Sequence, residues 1–156
     1  MKNSDGPKLS SLPDTRQNRI LKAASYAGAV LDHPIYQLQA KQTQRSAHSL
    51  AFLDCLDGPH LITVDSSRWT GRIGEIIHFR VTDTSRVMQV RVMLKKSKTS
   101  RTVFESGYAY ISRLNPSIWT YVTKTEIRQG PGLCIGVIAS DLAGNVGADI
   151  LEFDHE

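Results

Sequence analysis

The sequence predicts a mainly β fold: a seven-stranded antiparallel sandwich over 58–156, preceded by an N-terminal α-helical pair over 14–57, with residues 1–13 left disordered. Three observations predict it. Apolar residues recur at helical spacing up to about Leu56 and alternate with polar ones beyond it. Asp57-Gly58-Pro59 sits where the period changes and reads as a stop signal. Turn-forming clusters then separate short apolar runs at nearly every junction, the spacing of a two-sheet β architecture.

Asp14 with Gln17 three residues on reads as a capping pair, and Ile20, Ala24, Ala27 and Leu31 fall on one face of the helix that follows. Asp32-His33-Pro34 ends that helix, because proline cannot continue it but fits the first turn of another. Ile35 and Leu38 open the second helix, and Leu50, Leu53 and Leu56 close it. Its middle, Lys41-Gln42-Thr43-Gln44-Arg45-Ser46, is polar all round and reads as a solvated stretch.

Leu61–Val64 is a short apolar run. Ile77, Phe79 and Val81 then alternate with polar residues, as do Met88, Val90, Val92 and Leu94, which is the pattern of half-buried strands. Further strands are expected over 102–111, 117–123 with Trp119 and Tyr121 on one face, 133–140 and 148–153. Turns are expected at Gly71 to Gly74, Asp83-Thr84-Ser85, Asn115-Pro116, Gly130-Pro131-Gly132 and Ala143-Gly144-Asn145. Gly136 should lie on the outward face of its strand, where a missing side chain permits close approach.

The stretch Ile135–Gly147, IGVIASDLAGNVG, carries a resemblance. With the strands before it, segment 61–153 resembles bacterial immunoglobulin-like and fibronectin-III-like domains, in which the next-to-last strand runs into an A-x-D-x-A-G-N turn before the final one. The resemblance implies an immunoglobulin-like sandwich and is nearly silent on function, since that architecture hosts adhesion, spacer and structural roles alike. In this turn Asp141 should accept backbone N–H bonds while Gly144 and Asn145 take positive backbone angles. A calcium site would need about six to eight oxygens. Asp141, with Asp149 as a second carboxylate, offers too few, so no metal and no cofactor is expected.

Cys55 and Cys134 lie far apart, which argues against a disulfide framework, and both read as buried thiols. His33, His48, His60, His78 and His155 show no zinc-ligand spacing. The glycine clusters lack the strand–loop–helix context of a phosphate site, and no G-x-S-x-G elbow occurs, so the chain is expected not to be an enzyme. The net charge of +4 is spread evenly: residues 1–57 hold seven basic and five acidic groups, and 58–156 hold twelve and ten.

One basic cluster stands out. Lys95, Lys96, Lys98 and Arg101 lie at an expected hairpin tip, where cations can touch phosphates or simply blunt a strand end. The leading expectation is a non-catalytic protein-interaction or structural module with a protein partner. The alternative is a polyanion- or nucleic-acid-associated protein using that tip. No apolar run is long enough to span a membrane. The start, MKNSDGPKLSSLPDT, has no apolar core behind its lysine and does not read as a signal peptide, which predicts a cytoplasmic protein, with export the alternative if a leader once preceded it.

Overall fold

In the computed structural model, which describes residues 15–128 and 132–152, three helices precede eight strands. The chain divides into two compact units, Met1–Asp57 and Gly58–Glu156. The expected disordered start, the Gly130-Pro131 part of one turn and the end of the last strand at Phe153 lie outside the described residues.

The expected helical pair is three helices: α1 (Arg16–Ala29), α2 (Pro34–Thr43) and α3 (Ala47–Leu56). Asp14 lies outside the described residues, and α1 is capped by Thr15, whose hydroxyl accepts from the Asn18 amide at 3.3 Å. Its buried positions are Ala23 and Ala27, not the expected face of Ile20, Ala24 and Leu31, which are exposed. Two alanines one turn apart leave room for the close approach of α3, which packs against α1. His33-Pro34 acts as anticipated: Pro34 opens α2, and the His33 ring accepts from the Ile35 amide at 3.3 Å.

The polar middle of the expected second helix is a break. Gln44 adopts a left-handed backbone (φ 57°) that ends α2, and the Ser46 hydroxyl accepts from the Ser49 amide at 3.0 Å to start α3. The buried face of α3 is Ala47, Leu50, Ala51 and Asp54, so a carboxylate holds a core position where leucines were expected to dominate. Among the described residues no helix is long and apolar enough to cross a membrane.

The strands are β1 (His60–Asp65), β2 (Ile76–Thr82), β3 (Val87–Lys95), β4 (Val103–Tyr108), β5 (Tyr110–Ile111), β6 (Ile118–Val122), β7 (Cys134–Asp141) and β8 (Val146–Glu152). They form two antiparallel sheets, ordered β1-β2-β6-β5 and β4-β3-β7-β8. The count is eight instead of seven because the expected strand over 102–111 divides at Ala109: β4 pairs with β3 in one sheet and β5 with β6 in the other. The Ala109 amide still donates to Val90 O at 2.9 Å, so the chain leaves the first sheet only after that bond.

Both sheets contribute to one apolar core. Phe79, Val90, Val92, Trp119, Ile135 and Val137 are all buried in it, as the alternation requires, together with Ile77, Tyr121 and Leu94. Each such side chain contributes about 1.5–3 kcal/mol by leaving water. Met88 departs from the expected inward set. The β3–β7 register slips between Val87 and Gln89, so Val87 is buried and Met88 is turned out. Gly136 faces Met93 across the ladder, and a Cβ there would lie 3.1 Å from the Met93 methyl, which fills the space a side chain would take.

Candidate functional site

Antiparallel order leaves four strand edges in the β unit, and their backbone N–H and C=O groups are available unless something covers them. Three of the four edges are curtailed. β5 has two residues. β1 is irregular between Leu61 and Thr63. On β8, Asp149 lies opposite inward-facing Val137, a charge turned toward the core side of an edge, and Gly147 lies directly under the Pro59 carbonyl.

The fourth edge, β4, is six residues long, as β1 is, and its register with β3 slips once, at Phe104 between Val103 and Glu105, which leaves Glu105–Tyr108 regularly paired. Since the Ala109 amide points at β3, alternation aims the amides of Glu105 and Gly107 at β3 and those of Ser106 and Tyr108 at the open side; Phe104 is the extra residue of a register slip and lies outside this alternation. Phe104 is 42% and Tyr108 59% exposed, large values for aromatic side chains. Tyr108 pairs with Arg91, and the Arg91 guanidinium donates to Ser106 Oγ from Nε at 3.3 Å and Nη2 at 3.2 Å.

The inner side of β4 is fixed by a buried acid. The Glu105 carboxylate accepts from the Tyr121 hydroxyl in a short bond, from the Lys124 amide at 2.9 Å and from the Thr125 amide at 2.8 Å, which ties one sheet to the other. Burial, and then the Glu105 bond, pushes the Tyr121 hydroxyl above its ordinary range, so it remains a donor. Gly107 makes room for this group: a Cβ there would meet Tyr121 Cε2 at 3.0 Å.

The basic tip lies at one end of the same strand. Lys95 closes β3, and Lys96, Lys98 and Arg101 are exposed in the connection to β4. This connection is held by its own bonds, Lys96 N–H to Thr102 O at 3.1 Å and Ser100 N–H to Ser97 Oγ at 3.1 Å, while Lys95 Nζ donates to Lys98 O at 3.4 Å. Among the described side chains, none of the four cations is paired with a carboxylate. The sequence reading found the tip but not the aromatic edge beside it, since Phe104 and Tyr108 were counted only as strand residues.

The Asp141–Asn145 turn is built largely as expected. Asp141 Oδ1 accepts from the Asn145 amide at 2.7 Å and Oδ2 from the Asn145 side-chain amide at 2.9 Å. Gly144 has φ 88°, so the one left-handed position of the turn falls on the glycine, which pays no Cβ penalty there, and Asn145 does not take the positive angle expected of it. Asp149 pairs with Val137, four residues along β7 from Asp141, and accepts from the Ile150 amide, so the second carboxylate expected near Asp141 is not brought there. Among the described residues, Asp83 brings a carboxylate oxygen within 4.8 Å of that of Asp141.

A second polar group, which the sequence reading missed, joins the three helices. Tyr36 donates to Asp54 Oδ2 at 2.5 Å, and its oxygen lies 2.7 Å from the Tyr26 hydroxyl. Burial, followed by the bonds to Asp54 and Tyr26, raises the Tyr36 hydroxyl far above its usual range. The signal available in the sequence was Asp54 itself, an acid at the same helical face as Ala47, Leu50 and Ala51. Cys134 is buried as expected, Cys55 is only half-buried, and the two form no disulfide.

A hollow of about 290 Å³ lies between β1 and β8, with Val137 and Ala139 at its floor and His60 and Asp149 at its rim. Compared with known proteins, the chain matches no family model, no curated protein and no solved structure at a significant level.

Proposed function

We propose that this chain is a non-catalytic protein-interaction module, in which an immunoglobulin-like sandwich presents the edge of β4 for strand addition by a partner. The single observation that supports this most is the pair of large aromatics on one edge: β4 carries exposed Phe104 and Tyr108 beside the outward amides of Ser106 and Tyr108, while β5 has two residues and β8 is met by Pro59. The immunoglobulin-like reading draws support from the strand order and from the Asp141–Asn145 turn. The non-catalytic reading draws support from the buried acids: Glu105 takes three bonds from its own chain, and Asp54 takes the Tyr36 hydroxyl.

Selection of extended peptides from a displayed random library tests the proposal, with the full chain as bait and Ser106→Pro as counter-bait. Proline at Ser106 deletes an amide that faces away from β3, so the fold survives while the edge is blocked. Peptides retained by the natural chain and lost by the variant support the reading. Enrichment that is indifferent to the substitution overturns it.

The second reading, polyanion or nucleic-acid binding through Lys95, Lys96, Lys98 and Arg101, is favoured by the exposure of the last three beside two aromatics. Its test is the affinity for a generic duplex against salt, which should fall steeply and lose about one unit of slope per cation removed.

A further inference from the structure

We infer that the segment added at β4 is acidic: an extended stretch of a partner protein whose carboxylates meet Lys95, Lys96, Lys98 and Arg101 while its backbone pairs with Ser106 and Tyr108. This inference rests on the edge reading above and goes beyond it by fixing the partner's chemistry.

Two independent features of one strand converge. Along the regular part of the edge, the outward amides of Ser106 and Tyr108 stand two residues apart, a spacing that an extended polypeptide backbone matches. At its end, cations accumulate without carboxylate partners among the described side chains. An acidic segment satisfies both at once, and opposite charge at the end of the strand sets its register. Arg91, on the outer face and held by Ser106 Oγ, adds a cation one strand further in.

A single-stranded nucleic acid fits less well. Phe104 and Tyr108 are four residues apart on one strand, about 13 Å, so consecutive bases cannot stack on both. Tyr110, the next exposed aromatic, belongs to the other sheet. The phosphate backbone also has no donors for the outward carbonyls of β4.

The experiment uses the full chain and fluorescence anisotropy with three labelled probes: a peptide of about nine residues alternating Glu with Val, its counterpart with Gln for Glu, and oligo(dT). The Glu peptide should bind about tenfold tighter than the Gln peptide at low salt, and the gap should narrow as salt screens the charges. The double variant Lys96→Glu with Lys98→Glu should erase that gap without weakening the Gln peptide. Ser106→Pro should lower the affinity for both peptides at least about tenfold. Ser106→Ala, which loses the same Arg91 bonds but keeps the amide, should not.

Equal binding of the Glu and Gln peptides, still abolished by Ser106→Pro, overturns the acidic partner and leaves the edge reading standing. Binding that ignores Ser106→Pro, or no binding of either peptide, overturns both. Tighter binding of oligo(dT) than of the Glu peptide overturns the inference in favour of the polyanion reading.

Discussion

Gly147→Ala isolates one close approach in the β unit. A Cβ built at Gly147 would lie 2.3 Å from the Pro59 carbonyl oxygen, where a carbon needs about 3.5 Å. The obstacle is backbone, so relief needs β8 or the entry to β1 to move by about 1 Å. Gly147 has no positive φ, so alanine meets no torsional penalty and the clash alone acts. Overpacking of this kind costs about 1–3 kcal/mol, and the immobile partner puts Gly147→Ala in the upper half of that range. For a unit of roughly 100 residues this is a fall in Tm of about 10–20 °C. Tryptophan fluorescence is the suitable assay, because the protein's two tryptophans, Trp69 and Trp119, are both buried in the β unit. Gly144→Ala is the comparison: its φ of 88° imposes strain, but nothing lies within 4 Å, so it should cost only about 1–2 kcal/mol. A Gly147→Ala protein within about 0.5 kcal/mol of the parent, or more stable than Gly144→Ala, would refute the reasoning.

Tyr36→Phe removes the hydroxyl that joins Asp54 and Tyr26, and should cost the helical unit about 2–3 kcal/mol by far-UV circular dichroism in urea; an unchanged midpoint would show the triad to be dispensable. At the sheet junction, Glu105→Ala strands the Lys124 and Thr125 amides and should cost about 3 kcal/mol, while Glu105→Gln keeps an acceptor and should cost less; equal losses would count against the carboxylate as the organising acceptor. The hydroxyl and amide of Ser67 hold Asp65 below its ordinary value of 3.8, and those of Thr70 hold Glu75 below 4.5, so both stabilise the fold above those values and lose the contribution as pH falls through their lowered ones. Tm should therefore be flat down to about pH 5 and decline below it, less steeply for Glu75→Gln; an equal slope would remove Glu75 from the account. Millimolar calcium should leave Tm unchanged, because both Asp141 oxygens already accept from Asn145; an upward shift abolished by Asp141→Asn would contradict this.

What was legible in the sequence was whatever a local period or a local turn encodes. Ile77, Phe79 and Val81 face the core because strand side chains alternate, and Pro34 opens a helix because its ring fits only the first turn. The break at Gln44 was visible only as polarity, since a left-handed glutamine leaves no residue-type signature. Met88 points out because of a register slip set by the partner strand, and the division at Ala109 depends on which sheet each half pairs with. Both are tertiary facts. The basic tip could be read because its cations fall within one short stretch, Lys95 to Arg101, whereas the open edge beside it depends on which strand lies outermost. Glu105 and Tyr121, like Tyr36 and Asp54, are distant in sequence and become partners only once their elements pack.

The meeting of Pro59 with Gly147 joins the first and last strands of the β unit, close to its two ends in sequence. Closing so large a loop carries a high entropic cost, whereas the connection from β3 to β4 closes locally. The hairpin should therefore zip early and the β1–β8 seam late. Substitutions at the seam would then leave the refolding arm of a chevron nearly unmoved and steepen escape from the native state, which makes this seam the natural place to lengthen or shorten the lifetime of the folded protein.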